Sequence, residues 1–215
     1  MTTARLNTAD LRRALLFVAD EIIREEPRLN ALDAALGDGD HGITMRLGFE
    51  AIKERLGELG SPAGFRELLT EAGKAFMGAT GGAIGIILGR MLISAGTGLR
   101  DAQELGTPEL SRMLALMETA IAQAGKAKPG DKTILDAVHA AHEAAAAAAG
   151  QQQDLGEALA QAASAAESAA QHTANLVCRV GRASRLGERT LGHPDPGAIS
   201  FSIIMRSLQR CAAEL

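Results

Sequence analysis

GITMRLGFEAIKERLGEL, the stretch from Gly42 to Leu59, places Met45, Phe49, Ile52, Leu56 and Leu59 at steps of four, three, four and three. A helix completes a turn every 3.6 residues, so these five side chains form one stripe, the seam of a helix packed in a bundle. Gly60, Ser61 and Pro62 end it. Upstream, Leu11, Leu15, Val18 and Ile22 follow Thr8, a candidate N-cap, and predict an amphipathic helix to about Glu26. Pro27 then starts a short helix bearing Leu29, Leu32 and Leu36, which stops at Gly37. Downstream, Phe65, Leu68, Ala72 and Phe76 mark a fourth helix. Ile84 to Ala95 mark a fifth, apolar nearly all round and so expected at the centre.

Thr107, Pro108 and Glu109 read as an N-cap, a proline at N1 and a first-turn acid, opening a helix that ends near Gly125. Another runs from Asp131 through alanines 144 to 149 to Gly150, and a long Ala/Gln helix is expected over Asp154 to Val180. Ile199, Ile203, Ile204 and Leu208 mark the last. Composition agrees: Val occurs only at 18, 138, 177 and 180, while helix-favouring Ala, Leu, Glu, Gln and Arg dominate. The expectation is an all-α bundle forming a single domain over residues 1–215, with no Pro/Ser linker to split its core.

Charge and composition narrow the function. With 22 Lys+Arg against 26 Asp+Glu, a net charge of −4 and five Phe as the whole aromatic set, the chain lacks the cations and stacking rings of a nucleic-acid binder. The longest uncharged stretch, Ala75 to Gly89, is too short and too glycine-rich to span a bilayer. No secretory signal is visible, and Cys178 and Cys211 stand far apart outside any metal spacing, which fits a reducing, cytoplasmic setting.

Four segments at helix junctions carry chemistry. Leu36-Gly37-Asp38-Gly39-Asp40-His41-Gly42 brings two carboxylates together, with Asp33 one helical turn upstream. Three such acids suit a hard divalent cation, Mg²⁺ above all, and the register excludes an EF-hand because position twelve falls on Leu47 or Phe49. A solvated Asp-Gly turn is the plain alternative. Gly78 to Gly85 opens onto the fifth helix, where free backbone N–H groups form an anion site; close helix packing is the alternative. It is neither a Walker A loop nor a Rossmann turn. Gly125 to Thr133 holds three lysines, which by default form a solvated loop with Asp131 as an N-cap. Gly181 to Gly197 adds Arg182, Arg185 and Arg189, near Arg179, suited to phosphate, and Asp195 before Pro196, which could simply be a rigid turn. His139, His142 and His172 read as surface or packing residues, and Met113 and Met117 as core. Together these segments describe an Mg-nucleotide site at one end of a bundle, able to transfer a phosphoryl group by positioning and charge neutralisation.

At these residues the chain resembles the nucleotide-binding L subunits of dihydroxyacetone kinases. Leu32-Asp33 with Gly37 to Gly42, Gly81-Gly82-Ala83, Gly125-Lys126 with Pro129 to Thr133, and Gly181 to Gly197 occur in family order. The resemblance implies an antiparallel barrel of about eight helices with the nucleotide, ADP or ATP, in the loops at one end. It implies Asp33, Asp38 and Asp40 as ligands of two Mg²⁺ ions. It implies nucleotide contacts at His41, Gly42, Ile43, Thr44, Gly82, Ala83, Ile84, Gly125, Ile134, Arg182, Pro194, Asp195, Pro196 and Gly197. Ile84 departs from the pattern, in which serine is common, and Thr80 offers a nearby hydroxyl. No catalytic residue is expected here, because in the family a histidine on a separate K subunit holds the substrate covalently. Some relatives use ATP. Others keep ADP as a coenzyme recharged by a phosphotransferase-system M subunit, and His41 resembles that second group. The partners so implied are the K subunit, the M subunit and a second copy in a homodimer, with neither nucleic acid nor membrane. Phosphorylation of another short ketose such as erythrulose, and a nucleotide-dependent regulatory role, are the alternatives.

Overall fold

The computed structural model describes residues 5–62 and 64–214. Nine α-helices follow one another there: α1 (Thr8–Arg24), α2 (Glu26–Ala34), α3 (His41–Glu58), α4 (Phe65–Ala79), α5 (Gly82–Gly98), α6 (Thr107–Gly125), α7 (Ile134–Gly150), α8 (Leu155–His172) and α9 (Pro196–Ala213). Two 3-10 segments, Thr173–Asn175 and Arg182–Thr190, lie between α8 and α9. Among the described residues the only β pairing is an isolated bridge from Leu6 to Leu105. No described helix is long and apolar enough to cross a membrane.

From α3 to α9 each helix packs on the next, and α1 packs on both α9 and α3, so eight helices close a ring. Short α2 lies outside the ring order, against α3 and α9. The expected barrel of about eight helices is thus present. Its interior is lined by the apolar stripes read from the sequence, with Met45, Phe49, Ile52 and Leu56 of α3 all buried. Phe49 meets Phe76 of α4 edge to face, ring centroids 5.6 Å apart. Alanines supply much of α7 and α8, which lets those backbones approach closely.

Several boundaries differ from expectation for identifiable reasons. Asn7, not Thr8, caps α1, its side chain accepting from Ala9 and Asp10 N–H. Gly106 is the N-cap of α6, while the Thr107 hydroxyl donates to the carbonyl of Gln153. Thr133 caps α7 in a box with Asp136, so Asp131 lies in the preceding loop. The Ala/Gln helix stops at His172 rather than Val180, because Thr173 turns its hydroxyl back to Ala170 and accepts from the N–H of Asp195. Helix α5 is a stave of the ring and not its centre: Leu88, Met91, Leu92 and Ala95 face inward, while Ile86 is 49% exposed and Arg90 lies outside. Its glycines explain the apolar run. A side chain at Gly89 would meet Met77 at 2.0 Å and one at Gly73 would meet the Gly89 carbonyl at 2.7 Å, so α4 and α5 touch backbone to backbone.

Candidate metal and nucleotide site

Helices α3, α5, α7 and α9 all begin at the end of the barrel where the chemistry-bearing segments lie. Their N-termini present the positive ends of the helix dipoles, and that of α5 has no side-chain cap. A cavity of about 430 Å³ opens there, walled by the α2–α3 turn, the α4–α5 turn, Lys132, Cys178, Arg182, Ala183, Asp195 and Pro196.

The α2–α3 turn is built to present acids. Asp33 Oδ2 accepts from the N–H groups of Gly39 (2.9 Å) and Asp40 (3.1 Å), folding the turn back on α2. Asp40 occupies the N-cap position of α3 but makes no capping bond. Asn30 of α2 takes over that role, its Oδ1 accepting from Ile43 N–H at 3.1 Å. The Asp40 carboxylate is left for the cavity. One oxygen from each of Asp33, Asp38 and Asp40 lies within 4.8 Å of the others. Arg182 reaches from the far wall to pair with Asp38. Its guanidinium holds the Asp38 carboxyl below the usual carboxylate range, whereas burial, with the charge of Asp38, pushes that of Asp40 up. Three carboxylates against one guanidinium leave excess negative charge at close quarters, and hard oxygen donors in that number suit a divalent cation.

Across the cavity, α5 starts at Gly82 after Gly81, an N-cap with no side chain to satisfy the first N–H groups. Nothing lies within 4 Å of a side chain built at Gly81 or Gly82, and Gly82 takes φ +71°. These glycines therefore serve an open backbone rather than the helix contact that Gly73 and Gly89 serve. Thr80 does not wall the cavity: its hydroxyl donates to the Phe76 carbonyl at 2.6 Å.

His41 is buried, with Nε2 2.7 Å from Ser200 Oγ. Ser200 spends its one hydrogen on the Pro196 carbonyl, so it accepts from His41, and the imidazole joins α3 to α9. Burial lowers its pKa to about 4, and the ring is neutral at pH 7. Asp195 caps α9, its Oδ2 accepting from Ala198 N–H at 2.8 Å. The residue is part-exposed but its carboxyl group is enclosed, and desolvation raises its pKa to about 7.

Of the residues singled out in the sequence, Asp33, Asp38, Asp40, His41, Thr44, Gly82, Ala83, Ile84, Arg182, Asp195 and Pro196 wall this cavity. Gly42, Ile43, Gly125, Ile134, Pro194 and Gly197 do not. Gly42 lets α3 start against α2, where any side chain would meet the Glu26 carbonyl at 2.2 Å. Ile43 is 40% exposed, and Ile134 is buried where α7 meets Gly197 of α9. The sequence reading passed over Asn30 and Lys132. Lys132, read as one of three solvated lysines, is 1% exposed, and its ammonium donates to two carbonyls.

The chain is similar to known proteins over most of its length. Residues 35–210 match the DAK2 domain. The chain is 38% identical over 191 residues to the ADP-binding subunit DhaL of the PEP-dependent dihydroxyacetone kinase of Escherichia coli K12, covering 88% of this chain and 90% of that one. It is 39% identical over 186 residues to the L-erythrulose 1-kinase of Mycolicibacterium smegmatis, covering 85% of this chain but 32% of that longer one. The crystal structure of the dihydroxyacetone kinase from C. freundii in complex with AMP-PNP and Mg²⁺ superposes with a TM-score of 0.71 at 25% identity, over 96% of this chain and 34% of that one. The length and identity of these matches establish that the chain belongs to the DAK2 domain family of dihydroxyacetone-type kinases.

Proposed function

We propose that this protein is the nucleotide-binding, phosphoryl-donating subunit of a dihydroxyacetone kinase, acting on substrate held by a separate K subunit. The observation that carries the reading is the facing of two features across one cavity: a triad of carboxylates within 4.8 Å and an uncapped, glycine-opened helix N-terminus. Asp33, Asp38 and Asp40 would hold a pair of Mg²⁺ ions, which when bound neutralise phosphate charge. The chain's own residues do the rest. The first N–H groups of α5 receive phosphate oxygens. Arg182, exposed and paired with Asp38, supplies a positive charge opposite the acids, suited to the charge that develops on a phosphoryl group in flight. His41, neutral and fixed through Ser200, holds the α3 and α9 starts at a constant separation.

The cavity walls include no nucleophile poised for a ketose: Cys178, the one thiol there, is buried with its pKa raised, His41 is engaged with Ser200, and the Lys132 ammonium is held by the Leu176 and Thr190 carbonyls. That supports an acceptor brought by a partner, and identity over nearly the full length of DhaL supports a separate K subunit. The same identity favours ADP kept as a coenzyme and recharged by an M subunit over direct use of ATP. The protein purified in Mg²⁺ and then denatured should release ADP near one per chain. An empty protein that binds ATP would assign it to the ATP-using kinases, and one that binds neither nucleotide would refute the proposal. Which ketose is phosphorylated is decided by the K subunit, and assays with dihydroxyacetone and erythrulose on the reconstituted pair measure it.

A further inference from the structure

Lys132 is buried to 1% exposure inside a cavity wall, in a left-handed backbone (φ 61°) that side-chain-bearing residues rarely adopt. A buried ammonium is costly unless its donors are used. Here they are: Nζ donates to the Leu176 carbonyl at 3.1 Å and to the Thr190 carbonyl at 2.6 Å. Those two carbonyls belong to opposite ends of one segment, the segment that carries Arg182. Further bonds close the same loop. Cys178 N–H donates to Thr190 Oγ1 at 3.0 Å, the Thr190 hydroxyl donates to the Gly187 carbonyl at 2.8 Å, and Arg179 N–H donates to the Asp131 carbonyl at 3.2 Å. Cys178 and Thr190 of the loop are buried and Val177, Val180 and Leu186 half-buried, while Arg179, Arg182, Arg185 and Arg189 are all exposed. The loop is tied to the α6–α7 loop by the Lys132 ammonium, which reaches both its ends, and by the Arg179–Asp131 bond, and its outer contact is the pair between Arg182 and Asp38.

We propose that Lys132 is a positioning residue, a buried clasp that gathers both ends of the 176–190 loop and so holds Arg182 over the carboxylate triad. Its functional consequence rests on the nucleotide site described above; its structural content does not. In the nucleotide-free wild-type protein, amides of residues 176–191 should show hydrogen-exchange protection well above that of an open loop. Exchange at open-chain rates would overturn the clasp. Lys132→Met keeps the length and apolar stem but removes the donors. Trypsin should then cut at Arg179, Arg185 or Arg189 at least about tenfold faster while the far-UV spectrum and the rest of the chain stay intact. Unchanged cleavage in such a folded variant would refute it. The role through Arg182 is read from Mg-ADP affinity. Lys132→Met should weaken binding about tenfold in the wild-type background and add almost nothing in an Arg182→Ala background, because nothing is then left to position. Losses that add fully in the double variant would show that Lys132 does not act through Arg182. Should the wild-type protein bind no Mg-nucleotide, the functional reading fails, and the exchange and protease results still judge the clasp.

Discussion

Replacing Asp195 with asparagine isolates the energetic consequence of enclosing a carboxyl group at the start of α9. The side chain accepts from Ala198 N–H at 2.8 Å, a capping bond that an asparagine oxygen also makes, so the cap survives the change. What disappears is the charge. Enclosure raises the Asp195 pKa from 3.8 to about 7, a desolvation effect that the nearby charge of Lys132 opposes. The folded state therefore resists ionisation that the unfolded chain permits. Below about pH 4 both states are neutral and the group costs nothing. Between pH 4 and 7 the unfolded chain gives up the proton first, so this contribution to stability falls as pH rises, and above 7 the full penalty stands. Three pKa units at about 1.4 kcal/mol each set that penalty at ~4 kcal/mol, an upper figure because local relaxation lowers it. Urea unfolding of nucleotide-free wild-type and Asp195→Asn proteins from pH 4 to 8 measures the difference directly. The variant should match the wild type near pH 4 and gain on it progressively to pH 7.5. A difference that stays flat across this range, or a variant less stable at every pH, would refute the enclosure argument.

Three further outcomes follow from the geometry. Asp38→Asn and Asp40→Asn should each lower Mg-nucleotide affinity by at least about tenfold in calorimetry, and Asp40→Asn should raise the melting temperature of the nucleotide-free protein by removing carboxylate repulsion. His41 is buried with its pKa lowered to about 4, so its contribution to stability is complete above 6.5 and is lost as pH falls from there towards 4; imidazole NMR signals should stay those of the neutral ring at pH 5.5, and Ser200→Ala, which removes its partner, should cost about 1–3 kcal/mol in urea unfolding. Gly42→Ala, forced against the Glu26 carbonyl, should destabilise by about 1–3 kcal/mol, whereas Gly78→Ala, in open space near the end of α4, should stabilise by roughly 0.5–1 kcal/mol, both read from chemical denaturation.

The barrel was readable because each stave carries its own apolar stripe, and a stripe such as Met45-Phe49-Ile52-Leu56 is decided by nearest turns alone. Helix ends were less so. The α8 helix stops at His172 although alanine-rich sequence approaches it, because Thr173 is claimed by contacts to Ala170 and Asp195 that only the fold creates. Helix α5 looked central from its composition, yet its glycines are spent on α4, a role visible only once Met77 and Gly73 lie beside it. The acid triad was readable because its members are close in the chain. Arg182 meeting Asp38 across the cavity was suggested by a basic loop but its partner was not. Lys132 was hidden by its company: three lysines in a Gly/Pro-rich turn predict solvent, and one of them turns inward to meet carbonyls from a segment more than forty residues away.

The central claim is that three carboxylates and a helix N-terminus bind a nucleotide through divalent metal. Isothermal titration of ADP into nucleotide-stripped protein tests it, once with Mg²⁺ and once with the metal chelated. The account predicts saturable binding of one nucleotide per chain that depends on Mg²⁺ and is weakened at least about tenfold in Asp38→Asn. Binding of equal strength without metal, or no binding in its presence, would contradict it.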